Sequence, residues 1–169
     1  MKTLYVVRHA KSSWDNPEQA DFNRPLNERG KRDAPRMGKR LKEKGIKPDV
    51  MMSSPAKRAW STCKKIAEVI GFPEDKIKSE RSLYHASEDD ILSVVRNIKD
   101  KHDSLMIFGH NPGLTDFVNE LMDEETLVDI GNIPTCGIAA FTFDVESWNE
   151  VNWEKGKLIF YDYPKSKED

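Results

Sequence analysis

The sequence is poor in cysteine, in long apolar runs and in any excess of one charge, and each shortage removes a class of protein. The two cysteines among 169 residues, Cys63 and Cys136, form no CxxC pair and have no metal-ligand spacing with histidine. They read as reduced, small core residues, which fits a reducing cytosol. The first apolar run, Leu4 to Val7, is too short for a signal-peptide core or a membrane span, so the expectation is a cytoplasmic protein with no membrane partner. Net charge is -2 with both signs interspersed; no global field recruits nucleic acid, and any anion site must be built locally. Repeats and interdomain linkers are also missing. The expected organisation is one domain over residues 1–164 and a solvated tail over 165–169.

What is present suffices for a core. Apolar residues make up 37% of the chain and charged residues 33%, with seven Phe, four Tyr and four Trp. A chain of this length buries a core without disulfide or metal staples.

Residues 2–7 form a β-branched and aromatic run that ends at Arg8-His9, as a buried strand does where it leaves a sheet. Asn27 can cap a helix that runs to about Lys44 and closes at Gly45, with Lys31, Arg32, Lys39 and Arg40 as its solvated face. A second strand over 49–52 leads through Ser53-Ser54-Pro55 into a helix with Ala59, Cys63, Ile66, Ala67 and Ile70 on one side, ended by Gly71. A short strand over 77–80 precedes a capping box of Ser87 and Asp90 and a helix to about Lys99. Residues 105–108 are a further strand. It ends in Gly109-His110-Asn111-Pro112-Gly113, after which Leu114, Phe117, Val118 and Leu121 have helical spacing. Runs at 138–143 and 158–163 read as a hairpin-like pair. Strands alternating with helices imply an α/β fold, a three-layer sandwich with a mostly parallel central sheet flanked by helices.

Ligands of open α/β sheets bind beyond the carboxyl ends of the strands. Three such ends carry Arg8-His9, Ser53-Ser54-Pro55 with Arg58, and His110-Asn111. Singly, each has an ordinary explanation: a structural histidine, a helix-face ion pair, a tight turn with a capping Asn. Jointly, two His and two Arg at strand ends would repel one another without an anion between them, and a phosphoryl group is the natural guest. Arg presents a fixed fork of donors to phosphoryl oxygens, and the helix N-termini after Ser54 and Asn111 add N–H groups. A neutral imidazole can attack phosphorus, and a second, protonated one can stabilise the oxygens as charge redistributes.

These segments together resemble the histidine phosphatase superfamily. Arg8-His9 matches its Arg-His-Gly motif, Ser53-Ser54-Pro55 through Arg58 and Thr62 its Ser-Pro-x-x-Arg segment, and Gly109-His110-Asn111 its second histidine turn. Arg24-Pro25-Leu26 followed by Asn27-Glu28-Arg29-Gly30 is similar to its Leu-Thr-x-x-Gly helix start. The short length and the His-Ala-Lys-Ser-Ser-Trp run after Arg8 look most like the SixA-type phosphohistidine phosphatases. The resemblance implies a phosphoglycerate mutase-like fold and a metal-independent phosphatase without cofactor, with His9 as the nucleophile, Arg8 and Arg58 gripping phosphoryl oxygens, and His110 completing the catalytic set. Ser54 and Asn111 are carried as substrate-binding positions, with a turn-and-cap role as the alternative.

Two departures stand out. Ala10 replaces the motif's Gly. No carboxylate occupies a convincing general-acid position: Asp89 and Asp90 read as helix N-terminal charges, leaving Glu80, Tyr84, His85 and Glu88 as weak candidates. A phosphorylated nitrogen departs more readily than an alkoxide, so a missing acid favours phosphohistidine of a protein as the partner over a small phosphate ester. Rival readings are a small-molecule phosphatase or mutase, a phosphate-binding module with little turnover, and a metallophosphatase using His9 and His110. Trp14 is expected packed under the loop, with the cleft rim as the alternative, His102 in an exposed loop, and Thr135-Cys136-Gly137 as a turn before a late strand, with a hydroxyl or amide reaching the site as the less favoured alternative.

Overall fold

The computed structural model describes residues 1–126 and 128–166. Its main elements, in chain order, are β1 (Lys2–Arg8), α1 (Glu28–Glu43), β2 (Val50–Ser53), α2 (Lys57–Ile70), β3 (Lys78–Ser79), α3 (Glu88–Arg96), β4 (Ser104–Gly109), α4 (Gly113–Leu121), β5 (Ile138–Phe143) and β6 (Lys157–Asp162). The sheet order is β3-β2-β4-β1-β5-β6. Strands β1 to β4 are parallel, and β5 runs against both β1 and β6. The sheet is therefore mostly parallel, and the expected hairpin-like pair is β5 with β6.

Strand alternation sets the layers. Leu4 and Val6 of β1 and Leu105 and Ile107 of β4 pack with α3 and α4, through Ile91, Val95, Phe117 and Leu121. Val7, Met106 and Phe108 face the other way, onto Met37 and Leu41 of α1 and Cys63 and Ile66 of α2. Both faces are thus covered, as a parallel sheet requires. Burying each such side chain contributes roughly 1.5–3 kcal/mol before chain entropy is charged.

The helix ends follow local chemistry. Asn27 Oδ1 accepts from Gly30 N–H at 2.9 Å, and Gly45 and Gly71 take positive φ after α1 and α2. Ser87 and Asp90 form the capping box, each side chain accepting from the other's backbone. α3 stops at Arg96, before the expected Lys99. There the Asn97 amide takes the Ser93 carbonyl at 2.7 Å and its own N–H turns to Val94, tightening the last turn.

Arg40 corrects one expectation. It is not on a solvated face but buried, donating to Asp162 Oδ1 at 3.2 Å and to the carbonyls of Tyr163 and Pro164. Lys31, Arg32 and Lys39 are exposed as expected. Of the expected tail, Lys165 and Ser166 belong to a 310 turn over Pro164–Ser166; residues 167–169 lie outside the described residues. His102 is half-buried, and its carbonyl accepts from Lys2 Nζ and the Trp148 indole. No helix among the described residues is long and apolar enough to cross a membrane.

One consequence of this topology positions the site. β1 and β4 are neighbours, yet the helix following β1 lies on one face of the sheet and the helix following β4 on the other. The chain therefore diverges at their carboxyl ends and opens a crevice there. His9 and His110 are the first residues past those two ends.

Candidate active site

Backbone hydrogen bonds lock the strand ends that frame the crevice. His9 N–H donates to Gly109 O at 3.1 Å, Ser54 N–H to Phe108 O at 3.0 Å, and Cys136 N–H to the carbonyls of Arg8 and His9 at 3.1 and 3.0 Å. The Thr135-Cys136-Gly137 turn thus supports His9 through its backbone. Thr62 is a hinge pin: its hydroxyl accepts from Ala10 N–H at 2.9 Å and donates to Arg58 O at 2.8 Å, joining the loop after His9 to α2. Gly30 completes the fit. A Cβ there would stand 2.1 Å from Lys11 O, so only glycine lets α1 lie against this loop.

The two imidazoles are buried, with ring centroids 5.2 Å apart. His9 Nδ1 lies 2.7 Å from Ala10 O. A carbonyl only accepts, so Nδ1 carries the proton and Nε2 keeps a free lone pair. Burial, opposed by that hydrogen bond and assisted by Arg58, Arg8 and Arg24, pushes the His9 pKa down to about 3. The ring is neutral at pH 7.

His110 Nε2 is 2.8 Å from Ser54 Oγ, which accepts from Ala56 N–H at 3.2 Å. With the hydroxyl hydrogen directed to Nε2, the ring proton of His110 sits on Nδ1. Burial first, then His9 and Arg58, lower its pKa to about 3. The protein's own groups favour the neutral ring, and the protonated form expected of the second histidine requires an anion beside it.

Arg8 and Arg58 flank the pair. Arg8 Nη1 donates to Ile133 O at 2.8 Å, and Arg58 Nη1 and Nη2 donate to Asp21 O at 2.8 Å and Asp21 Oδ2 at 3.1 Å. Burial lowers both guanidinium pKa values, and for Arg8 the charge of Arg58 adds to it. Among the described residues, three buried side-chain polar atoms have no hydrogen-bond partner: Arg8 Nε, Arg58 Nε and His110 Nδ1. They belong to three residues of the strand-end cluster, and an unpaired buried N–H group costs about 1–3 kcal/mol.

Ser54 and Asn111 make turn and cap hydrogen bonds. The Asn111 amide donates to Ile133 O at 2.9 Å and accepts from Thr115 N–H and Oγ1. It caps α4 and holds the carbonyl that also fixes Arg8. Ser54 orients His110.

The acid candidates separate. Glu80 spends its carboxylate on Ser82 N–H at 3.4 Å, lining a depression against α3 with Asp90 and Asn97. Glu88 opens α3, and its charge acts on Glu120 of α4. Neither joins the imidazole pair. His85, at φ 57°, stacks on Tyr84 with centroids 3.9 Å apart, and Tyr84 meets His110 edge-on at 5.5 Å.

Two groups absent from the expected set belong here. Asp21 accepts from Arg58, from the Tyr84 hydroxyl at 2.7 Å and from Arg24 Nε at 3.1 Å. Burial would raise its pKa, but Tyr84, Arg58 and Arg24 outweigh that and bring it down to about 2. Arg24, buried, also donates to Ser12 Oγ at 2.7 Å. Trp14 is neither packed away nor isolated: it is 71% exposed, with the Arg24 guanidinium 3.6 Å from its ring centroid. A polar stretch without periodicity gave no local sign of Asp21, although the Arg24-Pro25-Leu26 match marked its neighbourhood. Among the described residues, no three His, Cys, Asp or Glu side chains group so as to hold a metal ion.

The model of the histidine phosphatase superfamily, branch 1, matches residues 4–84, which include Arg8, His9, Asp21, Arg58 and Tyr84. An uncharacterized chloroplastic protein of Arabidopsis thaliana is 30% identical over 158 residues, covering 89% of this chain and 70% of its own. A 2,3-bisphosphoglycerate-dependent phosphoglycerate mutase of Chelativorans is 35% identical over 86 residues, and the match spans only 42% of that enzyme. Among solved structures, a protein of Agrobacterium tumefaciens assigned to the SixA phosphohistidine phosphatases superposes with TM-score 0.81 at 26% identity, covering 96% of this chain and 98% of that one. The protein histidine phosphatase SixA, solved with tungstate, has TM-score 0.79 at 21% identity over 96% and 97% of the two chains, a likeness of fold. The pairing of a strand-end Arg-His with a second histidine in a phosphoglycerate mutase-like sandwich has its explanation in descent: this chain belongs to the histidine phosphatase superfamily.

Proposed function

We propose that the chain is a metal-independent phosphatase that forms a phosphohistidine on His9 and acts on phosphohistidine of a protein. The observation that carries the reading is the gathering of two imidazoles 5.2 Å apart with Arg8 and Arg58, whose charges act on the pair, about a His9 ring whose Nδ1 is engaged and whose Nε2 lone pair is free. The relative solved with tungstate, a tetrahedral oxyanion, is consistent with a phosphoryl guest.

In the first step His9 Nε2 forms a bond to phosphorus while the bond to the leaving group breaks, its electron pair going to the departing nitrogen or oxygen. Arg8, Arg58 and His110 hold the phosphoryl oxygens as charge redistributes among them. In the second step water attacks the phosphohistidine, His9 leaves, and inorganic phosphate is released. Asp21, the carboxylate whose charge acts on His110, is held ionised at neutral pH by three donors and is poorly suited to protonate a leaving group. That favours phosphohistidine, whose protonated ring departs as neutral imidazole, over an alkyl phosphate ester.

The test is a substrate panel on the purified protein with EDTA present. A phosphohistidine peptide should be dephosphorylated far faster than sugar phosphates or phosphoglycerate, and His9→Ala should lose both turnover and the acid-labile phosphoenzyme. Turnover of phosphoglycerate with none of the peptide would overturn the substrate; a phosphoenzyme on His9→Ala would overturn the nucleophile.

A further inference from the structure

A groove of about 820 Å³ runs along the outer side of α2. Lys57, Ser61, Lys64, Lys65 and Glu68 line it from α2, at the spacing of one helix face. Pro25, Leu26 and Phe72 give it apolar contact surface, and Lys31 of α1 stands on its far wall. Lys57 is the first residue of α2, so the groove begins at the helix end that carries Arg58. A second depression of about 410 Å³ shares Pro25, Leu26 and Lys31 and continues to Ser13 and Asp15, either side of the exposed Trp14.

The charge along this groove is graded. Lys57 pairs with no carboxylate among the described residues. Lys31, Lys64 and Lys65 make only long pairs of 3.5 to 3.8 Å with Glu28, Glu74 and Glu68, between side chains all at least 45% exposed. Such pairs exchange readily for another anion, because exposed ion pairs are worth at most about 1 kcal/mol. The groove's own acidic lining residues are Glu68, in the last turns of α2, and Glu74 beyond it, and the continuing depression adds Asp15 and Glu28 beside Arg29. In a chain of net charge -2 this basic stretch is a local feature.

We infer that this groove docks an acidic segment of the phosphoprotein substrate, beside the phosphorylated side chain delivered to His9. From Lys57 to Glu68 the helix rises about 16 Å, the reach of roughly five extended residues. The groove therefore holds about five extended residues, and the lysine ammonium groups select acidic ones among them as point charges while Pro25 and Phe72 take an apolar neighbour. The inference rests on the phosphoprotein reading above and names what that substrate carries.

The experiment compares two phosphohistidine peptides, one with flanking Asp and Glu and one with Asn and Gln in their place, on the parent protein and on Lys57→Glu/Lys64→Glu. Hydrolysis of an aryl phosphate serves as the folding and chemistry control, with Lys64→Glu/Lys65→Glu as a second variant. The expected result is a KM about tenfold lower for the acidic peptide with the parent, loss of that preference in both variants, and unchanged kcat on the aryl phosphate. Equal KM for the two peptides, or a preference that survives both substitutions, overturns the groove assignment. If neither peptide is turned over while the aryl phosphate is, the phosphohistidine reading fails instead. Direct titration of the unphosphorylated acidic and neutral peptides then decides the groove, equal affinity overturning it. An oligonucleotide that displaces the acidic peptide at lower concentration would also overturn it.

Discussion

Arg58 and Asp21 are joined twice, Nη1 to the Asp21 carbonyl at 2.8 Å and Nη2 to its carboxylate at 3.1 Å, so the guanidinium plane is set before any phosphoryl group arrives. The Tyr84 hydroxyl holds the same carboxylate oxygen at 2.7 Å, which fixes Asp21 in turn. Arg58 Nε is left without a hydrogen-bond partner.

Asp21→Asn keeps the size of the side chain and removes its charge. One charge-assisted hydrogen bond of orientation is worth about a tenfold rate, so kcat on an aryl phosphate should fall about that much. Thermal stability should hardly change, because the Asp21 side chain is 42% exposed and its pairing is screened. Steady-state kinetics with a melting curve check this; an unchanged kcat would show that Arg58 is aimed by something else.

Thr62→Val tests the pin between the His9 loop and α2. Valine matches threonine in shape but leaves the buried Ala10 N–H without its 2.9 Å acceptor. The cost expected from denaturant unfolding is about 1–3 kcal/mol, with a fall in kcat at temperatures where the variant is still folded. A variant as stable as the parent would mean that Ala10 N–H finds another acceptor.

The placement of these residues at the strand ends was legible because it is local: each of Arg8-His9, Ser54 through Arg58 and His110 sits within a few residues of a strand whose alternation can be read. The Ser87–Asp90 capping box was legible for the same reason. Asp21 was not, since its partners Arg58 and Tyr84 lie 37 and 63 residues away and no periodicity marks residue 21. Arg40 misled because it sits next to Lys39 on a helix rich in basic residues, while the group that buries it, Asp162, is 122 residues on. Asn111 shows a third case. Its sequence position fits a substrate contact and a helix cap equally, and its amide bonds to Ile133 and Thr115 show the cap.

Gly30→Ala should damage the site from a distance. The new Cβ would stand 2.1 Å from Lys11 O, a backbone atom that also accepts from Asn27 N–H at 3.0 Å. Neither α1 nor the loop after His9 can move without breaking that contact, so the expected loss is about 1–3 kcal/mol of stability together with reduced turnover. Comparable unfolding curves for the two proteins would place the close approach elsewhere.

The two histidines should also make the fold acid-sensitive in a window set by their own shifts. Burial holds His9 and His110 at about 3 in the folded protein, below the usual value of 6.5. Between those values the unfolded chain binds protons that the folded chain refuses, so stability is full above pH 6.5 and is lost as pH falls toward 3. The slope is at most about 1.4 kcal/mol per pH unit for each histidine, about twice that for both. Denaturant unfolding of the parent from pH 7.5 to 4.5 should show it, and His9→Gln and His110→Gln should each flatten it. Catalysis separates from stability in the same window: because His9 stays neutral, kcat/KM measured on protein still folded should not fall with a midpoint near 6.5. A midpoint at 6.5 that persists in His110→Gln, with a substrate that does not itself titrate in this range, would show that His9 titrates as an ordinary exposed imidazole.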